Sequence, residues 1–228
     1  MSGVLLPTTL ILKDTFARWS RAWSTMAFRW FFLAATGILL LIGLNLGEFF
    51  QFIQGRQGNL VHDKVLEWFP VYDLSLFILF CIYSPLVYIL VTGFLYPEIL
   101  WKFVVGFALI HVFRIISLYL LPLEPPVDLV PLYDPLANVF YKKEIIDKDL
   151  FFSGHTATVF WIYFCAKSGR AKFYILLSNL ALVVMLLIQH IHYTIDILGA
   201  ILVTFFLRFS LEYYIMLLKQ NSKWLEYE

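Results

Sequence analysis

The sequence predicts an all-α, polytopic membrane protein with six transmembrane helices and both termini in the cytoplasm. Three observations carry this prediction. Of the 228 residues, 61% are hydrophobic and only 14% are charged, against about 25% charged in an ordinary soluble domain. Six apolar runs approach the roughly 20 residues that a helix needs to cross a hydrocarbon core about 30 Å thick. Lys and Arg are also distributed unevenly between alternate sides of those runs.

Residues 1–26 form a cytoplasmic or interfacial lead. Its apolar stretch from Val4 to Leu12 is broken by Pro7 and followed by Lys13, Asp14, Arg18, Arg21 and Arg29. A secretory signal puts its positive charge first and ends in small residues, so no cleavage is expected. The six spans lie near 27–46, 73–95, 99–122, 153–168, 171–191 and 194–218, with ends set by Gly, Pro and charge clusters. The fourth is short, and rests on the run from Ala157 to Ala166 and a histidine-bearing start. If it did not cross, the topology after it would invert. No repeat, low-complexity tract or soluble domain interrupts the chain, so 1–228 reads as a single membrane domain with its chemistry in residues 100–210.

Sidedness follows from counting cations. Lys13, Arg18, Arg21, Arg29, Lys102, Lys167, Arg170, Lys172, Arg208, Lys219 and Lys223 fall on one side; Arg56, Lys64, Arg114, Lys142, Lys143 and Lys148 fall on the other. Eleven against six puts the first side in the cytoplasm. The loop from about 123 to 152 then faces the exoplasmic, periplasmic or lumenal side. Pro122, Pro125, Pro126, Pro131 and Pro135 prevent one continuous helix there, which predicts an extended cap. The loop 47–72 is of mixed charge and suits the interface.

With a net charge of +1 and no basic tract, the chain has no nucleic-acid footprint. Cys81 and Cys165, the only two cysteines, fall inside apolar runs and read as packing residues. A homo-oligomer is compatible with the sequence but is not specified by it.

Ionisable residues inside apolar segments are costly, and here they cluster. Asp149-Leu-Phe-Phe-Ser153-Gly154-His155-Thr156 opens the fourth run, and His190-Ile-His192-Tyr193-Thr194-Ile-Asp196 opens the sixth. At helical spacing His192 and Asp196 share a face, so the carboxylate can hold one ring nitrogen and orient the other as nucleophile or base. The competing explanation makes Asp196 a helix-start partner and His192 an interfacial anchor. A helix beginning at Ser153 points free N–H groups and the positive end of its dipole outward, which favours phosphate. Ser153 suits an N-cap or a phosphate ligand, and Gly154 permits close backbone approach. One histidine to attack phosphorus and another to protonate the departing oxygen is the minimum for double-displacement transfer. His190, two residues before His192, turns to another face. His62-Asp63 stands apart in the first loop. No metal-ligand constellation or cofactor motif appears, so none is expected.

The pattern Asp-x-x-x-Ser-Gly-His-Thr followed by His-x-His-Tyr-Thr-Ile-Asp resembles the sphingomyelin synthase family. That family is a branch of the lipid phosphate phosphatase (type 2 phosphatidic acid phosphatase) superfamily of six-helix membrane proteins. Arg114-Ile-Ile-Ser117-Leu-Tyr119 is more loosely similar to that family's upstream arginine motif. The resemblance implies that His192 is the nucleophile taking the phospho-headgroup, that Asp196 orients it, and that His155 serves the leaving and accepting oxygens. Arg114 and Asp149, with Ser153, Gly154 and Tyr193, would form the phosphate site. The phosphatase branch carries Lys-x6-Arg-Pro and a Ser-Arg pair; here Ile115 follows Arg114, and Met185-Leu186 stands where Ser-Arg would be.

Fewer cations suit a diester, which carries one negative charge, better than a monoester, which carries close to two. Tyr119, Tyr133, Phe140, Tyr141, Phe151 and Phe152 are candidates for cation–π contact with a headgroup ammonium, or members of an aromatic belt. The expectation is therefore a transferase moving phosphocholine or phosphoethanolamine from a glycerophospholipid to a ceramide-like hydroxyl and releasing diacylglycerol. A lipid phosphate phosphatase or phospholipase C-like hydrolase with the same site is the rival enzyme. A silent lipid-binding protein of the same fold is the rival outside enzymes.

Overall fold

The computed structural model describes residues 8–134 and 146–221. Pro7, Pro135, Phe140, Tyr141, Lys142, Lys143 and Lys223 lie outside them. The described residues form seven α-helices: α1 Thr8–Ser24, α2 Met26–Gln54, α3 Ser75–Leu95, α4 Pro97–Leu120, α5 Gly154–Cys165, α6 Gly169–Ile188 and α7 Thr194–Asn221. They contain no β-strand, only one isolated bridge between Asn59 and Leu123.

Five helices, α2, α3, α4, α6 and α7, are long and apolar enough to cross a membrane. The expected fourth span, 153–168, is a helix of 12 residues, about 18 Å at 1.5 Å per residue. Its shortness has a packing reason. α5 lies against α3, α4, α6 and α7, and Thr156, Ala157, Val159, Phe160, Trp161, Ile162 and Cys165 are all buried. A helix enclosed by others has no lipid thickness to match. Its closest fit is with α4, where the Trp161 indole fills the space above Gly106 that a methyl group would occupy. The same ring donates from Nε1 to the carbonyl of Phe103 at 3.2 Å.

α2 extends to Gln54 rather than ending near residue 46. Beyond the hydrocarbon, charge does not stop a helix whose backbone stays paired, and Gln54 finds partners across the bundle end, donating to Asp147 at 2.7 Å and accepting from the N–H of Lys148 at 2.9 Å. α1 lies within the expected lead, with Phe16 exposed. It is tied to the α3–α4 turn by Trp19 Nε1 donating to Phe94 O at 2.8 Å and Arg18 donating to Leu95 O at 3.2 Å. Lys167, just after α5, reaches Glu98 at 3.4 Å at the same end.

The opposite end gathers the two long connections. Asn59 and Leu123 bridge the loops, with Asn59 N–H donating to Pro122 O at 2.9 Å and Glu124 N–H to Asn59 O at 3.1 Å. Gly58 accepts this approach because a Cβ there would meet Leu123 carbonyl carbon at 2.5 Å. Gln189, fully buried, joins three elements: its Oε1 accepts from Leu74 N at 2.9 Å, and its Nε2 donates to Ser75 Oγ at 2.9 Å and to Val130 O at 3.2 Å. Residues 123–134, the described part of the expected cap, thus run without a helix and are fastened to the helix ends beneath them.

Candidate active site

Local sequence builds each half of the site. α6 ends in a left-handed residue, His190 at φ 53°, with Ile191 N–H donating to Leu186 O at 3.0 Å and His190 N–H to Leu187 O at 3.1 Å. These two bonds are the Schellman pair that closes a helix C-terminus. The imidazole of His190 contributes a 3.1 Å contact from Nδ1 to Val127 O, so His190 sets the turn and pins the cap. The turn delivers His192 inward, where it is 1% exposed.

α7 then begins with one half of a capping box. Asp196, three residues after Tyr193, reaches back so that its Oδ2 accepts from Tyr193 N–H at 2.9 Å. That same oxygen lies 3.2 Å from Nδ1 of His192. One carboxylate oxygen thus contacts both the start of the helix and the histidine ring. Asp196 is fully buried, and its Oδ1 has no hydrogen-bond partner among the described residues. The His192 nitrogen left to face outward is Nε2.

Ser153 caps α5, its Oγ accepting from Thr156 N–H at 3.4 Å and donating to Thr156 Oγ1 at 3.1 Å. It is fully buried. Its backbone N–H donates to Asp196 O at 3.0 Å, so the two sequence motifs meet through the main chain. Among the described residues, the N–H groups of Gly154 and His155 find no acceptor. His155 faces His192 with ring centroids 6.4 Å apart and planes at 62°.

Arg114 and Asp149 come together beside this pair. Arg114 is 7% exposed; its guanidinium forms an ion pair with Asp149 and donates to Phe152 O at 2.7 Å. A methyl group at Gly154 would collide with that guanidinium. The close approach that glycine permits here is thus made by Arg114. Tyr193 is 1% exposed, with its hydroxyl donating to Glu124 O at 3.0 Å; burial raises the phenol above its usual range. Of the candidate aromatics, Tyr119 stacks on Phe52 with Arg56 over its face, and Phe152 is in the core. Phe151 packs 2.7 Å from where a Cβ of Gly199 would stand, and Tyr133 is exposed.

The level of the site follows from these contacts. Arg114 is six residues before the end of α4, so it lies about 9 Å below that end. Gly154 starts α5 at the same level, and the site is recessed within the bundle.

Two further residues reach it without a spacing signal in the sequence. Asp134 of the cap, 9% exposed, stands with Oδ2 3.6 Å from His155 Nε2 and accepts from the Tyr83 hydroxyl of α3. Asp63, apart in sequence, accepts from Thr194 N–H at 2.6 Å and Thr194 Oγ1 at 3.2 Å at the start of α7. Burial raises the Asp63 carboxyl, but hydrogen bonds from Thr194, Leu66 and Val65 outweigh it and hold it below its usual range. Both contacts are made through space by loops, and their only trace in sequence is an acidic residue in each loop.

A buried histidine oriented by a carboxylate, a second histidine across from it, and a helix N-terminus between them make a constellation suited to phosphoryl chemistry. Residues 148–214 match the family model described as PAP2 superfamily C-terminal. This supports the phosphatase superfamily, whose members are typically phosphatases or phosphotransferases. The PAP2 match covers both histidine motifs and stops short of Arg114 and the cap. Neither the curated proteins nor the solved structures yield a match.

Proposed function

We propose that the protein is a membrane phospholipid headgroup transferase that works through a phosphohistidine. His192 Nε2 attacks the phosphorus of a glycerophospholipid, the bond to the diacylglycerol oxygen breaks, and His155 gives that oxygen its proton. A second lipid hydroxyl, ceramide-like by resemblance, then loses its proton to His155 and attacks the phosphohistidine, which returns His192. Asp196 holds Nδ1 and stabilises the positive charge that develops on the ring. The observation that carries this reading is the 6.4 Å separation of the His155 and His192 rings with Asp196 bonded behind His192. Rings with centroids that far apart are near enough for both to contact one phosphoryl group.

The recess supports a membrane lipid as substrate, because its reactive phosphorus must reach about 9 Å below the end of α4. The ion pair of Arg114 with Asp149 supports a diester. With its charge already balanced, Arg114 offers less to a dianionic monoester than an unpaired guanidinium would. The cation count of the sequence supports a site on the exoplasmic, periplasmic or lumenal side with six spans in all, α5 included, and both termini in the cytoplasm.

The test is reconstitution in liposomes with a fluorescent ceramide and, in turn, phosphatidylcholine, phosphatidylethanolamine and phosphatidic acid. Headgroup-bearing ceramide together with diacylglycerol is expected from one of the first two. Diacylglycerol with free phosphocholine or phosphoethanolamine would replace the transferase with a hydrolase, and inorganic phosphate from phosphatidic acid would make it a phosphatase. Unchanged activity in a folded His192→Ala variant would remove the covalent mechanism.

A further inference from the structure

We infer that Asp134, carried by the cap and anchored by Tyr83, is the positioning residue for His155, so that each histidine of the site has its own carboxylate. The inference rests on the proposed roles of the two histidines.

The geometry is that of a second His-carboxylate pair assembled from three separate elements. Asp134 Oδ2 lies 3.6 Å from His155 Nε2, while its Oδ1 accepts from the Tyr83 hydroxyl of α3. The Asp134 side chain is 12% exposed, and the His155 side chain is 27% exposed. A charge this enclosed is retained where it has a specific partner, since desolvation otherwise disfavours it strongly. The cap backbone is fixed on the near side: Val130 N–H donates to Gln189 O at 3.1 Å, and Val130 O accepts from Gln189 Nε2. Leu132 packs on the main core. Only three residues therefore separate Asp134 from Val130, whose backbone is held by the buried Gln189, and Tyr83 adds a second anchor.

The chemistry asks for this help. His155 must begin the first half-reaction as an imidazolium, and a carboxylate beside one nitrogen stabilises that form and fixes the ring. The nitrogen facing Asp134 keeps its hydrogen. The other gives its proton to the departing diacylglycerol oxygen as the His192 Nε2–phosphorus bond forms and the phosphorus–oxygen bond breaks. In the second half-reaction that nitrogen takes the acceptor hydroxyl's proton, and the imidazolium opposite Asp134 is restored.

The inference separates proton transfer from binding and from folding. Wild type, Asp134→Asn, Asp134→Glu, Tyr83→Phe and His192→Ala are compared in liposomes on two donors. One is the natural phospholipid that supports turnover. The other is the same lipid with sulfur in place of the bridging oxygen, whose thiolate departs without a proton. Asp134→Asn is expected to slow diacylglycerol formation tenfold or more with KM within twofold of wild type, and to slow thiol release less than threefold. Asp134→Glu is expected to recover part of the loss, and Tyr83→Phe to lose activity in the same leaving-group-dependent manner but less. Equal slowing on both donors, no slowing on either, or a change confined to KM would overturn the role of Asp134. Loss of turnover by wild type itself, or full turnover by His192→Ala, would instead overturn the proposed function.

Discussion

The backbone N–H of Ser153 donates to the carbonyl oxygen of Asp196 at 3.0 Å. Through this one bond the two motifs share a main chain contact as well as a site, while the Ser153 side chain is spent within its own helix on Thr156. Ser153→Ala keeps the main-chain bond and loses the cap. The expected result is about 1 kcal/mol less stability with KM for the donor lipid unchanged, measured by thermal unfolding in detergent alongside kinetics. A raised KM at unchanged stability would assign the hydroxyl to the substrate.

Asp196→Asn separates the two tasks of one oxygen. The amide oxygen still accepts from Tyr193 N–H, so α7 starts as before. It carries no charge to stabilise a positive His192 ring. A fall in turnover of about 10²- to 10⁴-fold is expected with a melting temperature near that of wild type. A protein that unfolds instead would show the capping contact to be the larger contribution.

Gly154→Ala tests the fit around Arg114. The added methyl meets a guanidinium already held by Asp149 and Phe152 O, so either the ion pair opens or α5 shifts. Activity is expected to fall at least tenfold. Arg114→Ala combined with Gly154→Ala relieves the collision, and the pair should be no worse in stability than Arg114→Ala alone, as read by thermal unfolding.

Gly106→Ala places a methyl group in the volume of the Trp161 indole. Overpacking of this kind costs about 1–3 kcal/mol. The loss is expected in unfolding measurements, and Trp161→Phe on the same background should recover part of it.

Acid weakens the clasp between the first loop and α7. Asp63 has its carboxyl held below its ordinary 3.8, so its contribution to stability is present in full above about pH 4 and is lost as pH falls through the lower folded value. Asp63→Ala is expected to be less stable than wild type at pH 7, by about 1 kcal/mol on the scale of a lost helix cap. The gap should narrow below about pH 4 in melting curves taken across that range. A gap that widens on acidification would contradict the direction of the shift.

The parts of this site legible in the sequence are those written at helical spacing. His192 with Asp196, the Ser153 cap and the close approach at Gly154 each follow from residues within one turn of one another, and hydropathy alone located the long helices. The stretch 153–168 is longer than α5, because apolar length cannot tell a helix meeting lipid from one enclosed by protein. The roles of Asp134 and Asp63 had no such spacing. Each reaches the site by a loop whose path depends on distant anchors, Gln189 and Tyr83 for one, the α7 start for the other. The resemblance implies a phosphate contact for Arg114, but its ion pair with Asp149 depends on how α4 lies beside the residues that precede α5.

Because α5 is walled in by α3, α4, α6 and α7, the N–H groups at its start, which find no acceptor among the described residues, lie in a recess of the bundle. At an open helix end, salt of physiological strength screens an anion over about 8 Å. In the proposed function a lipid phosphate held in that recess is screened less than at an open helix end, which predicts a donor affinity that changes little with ionic strength.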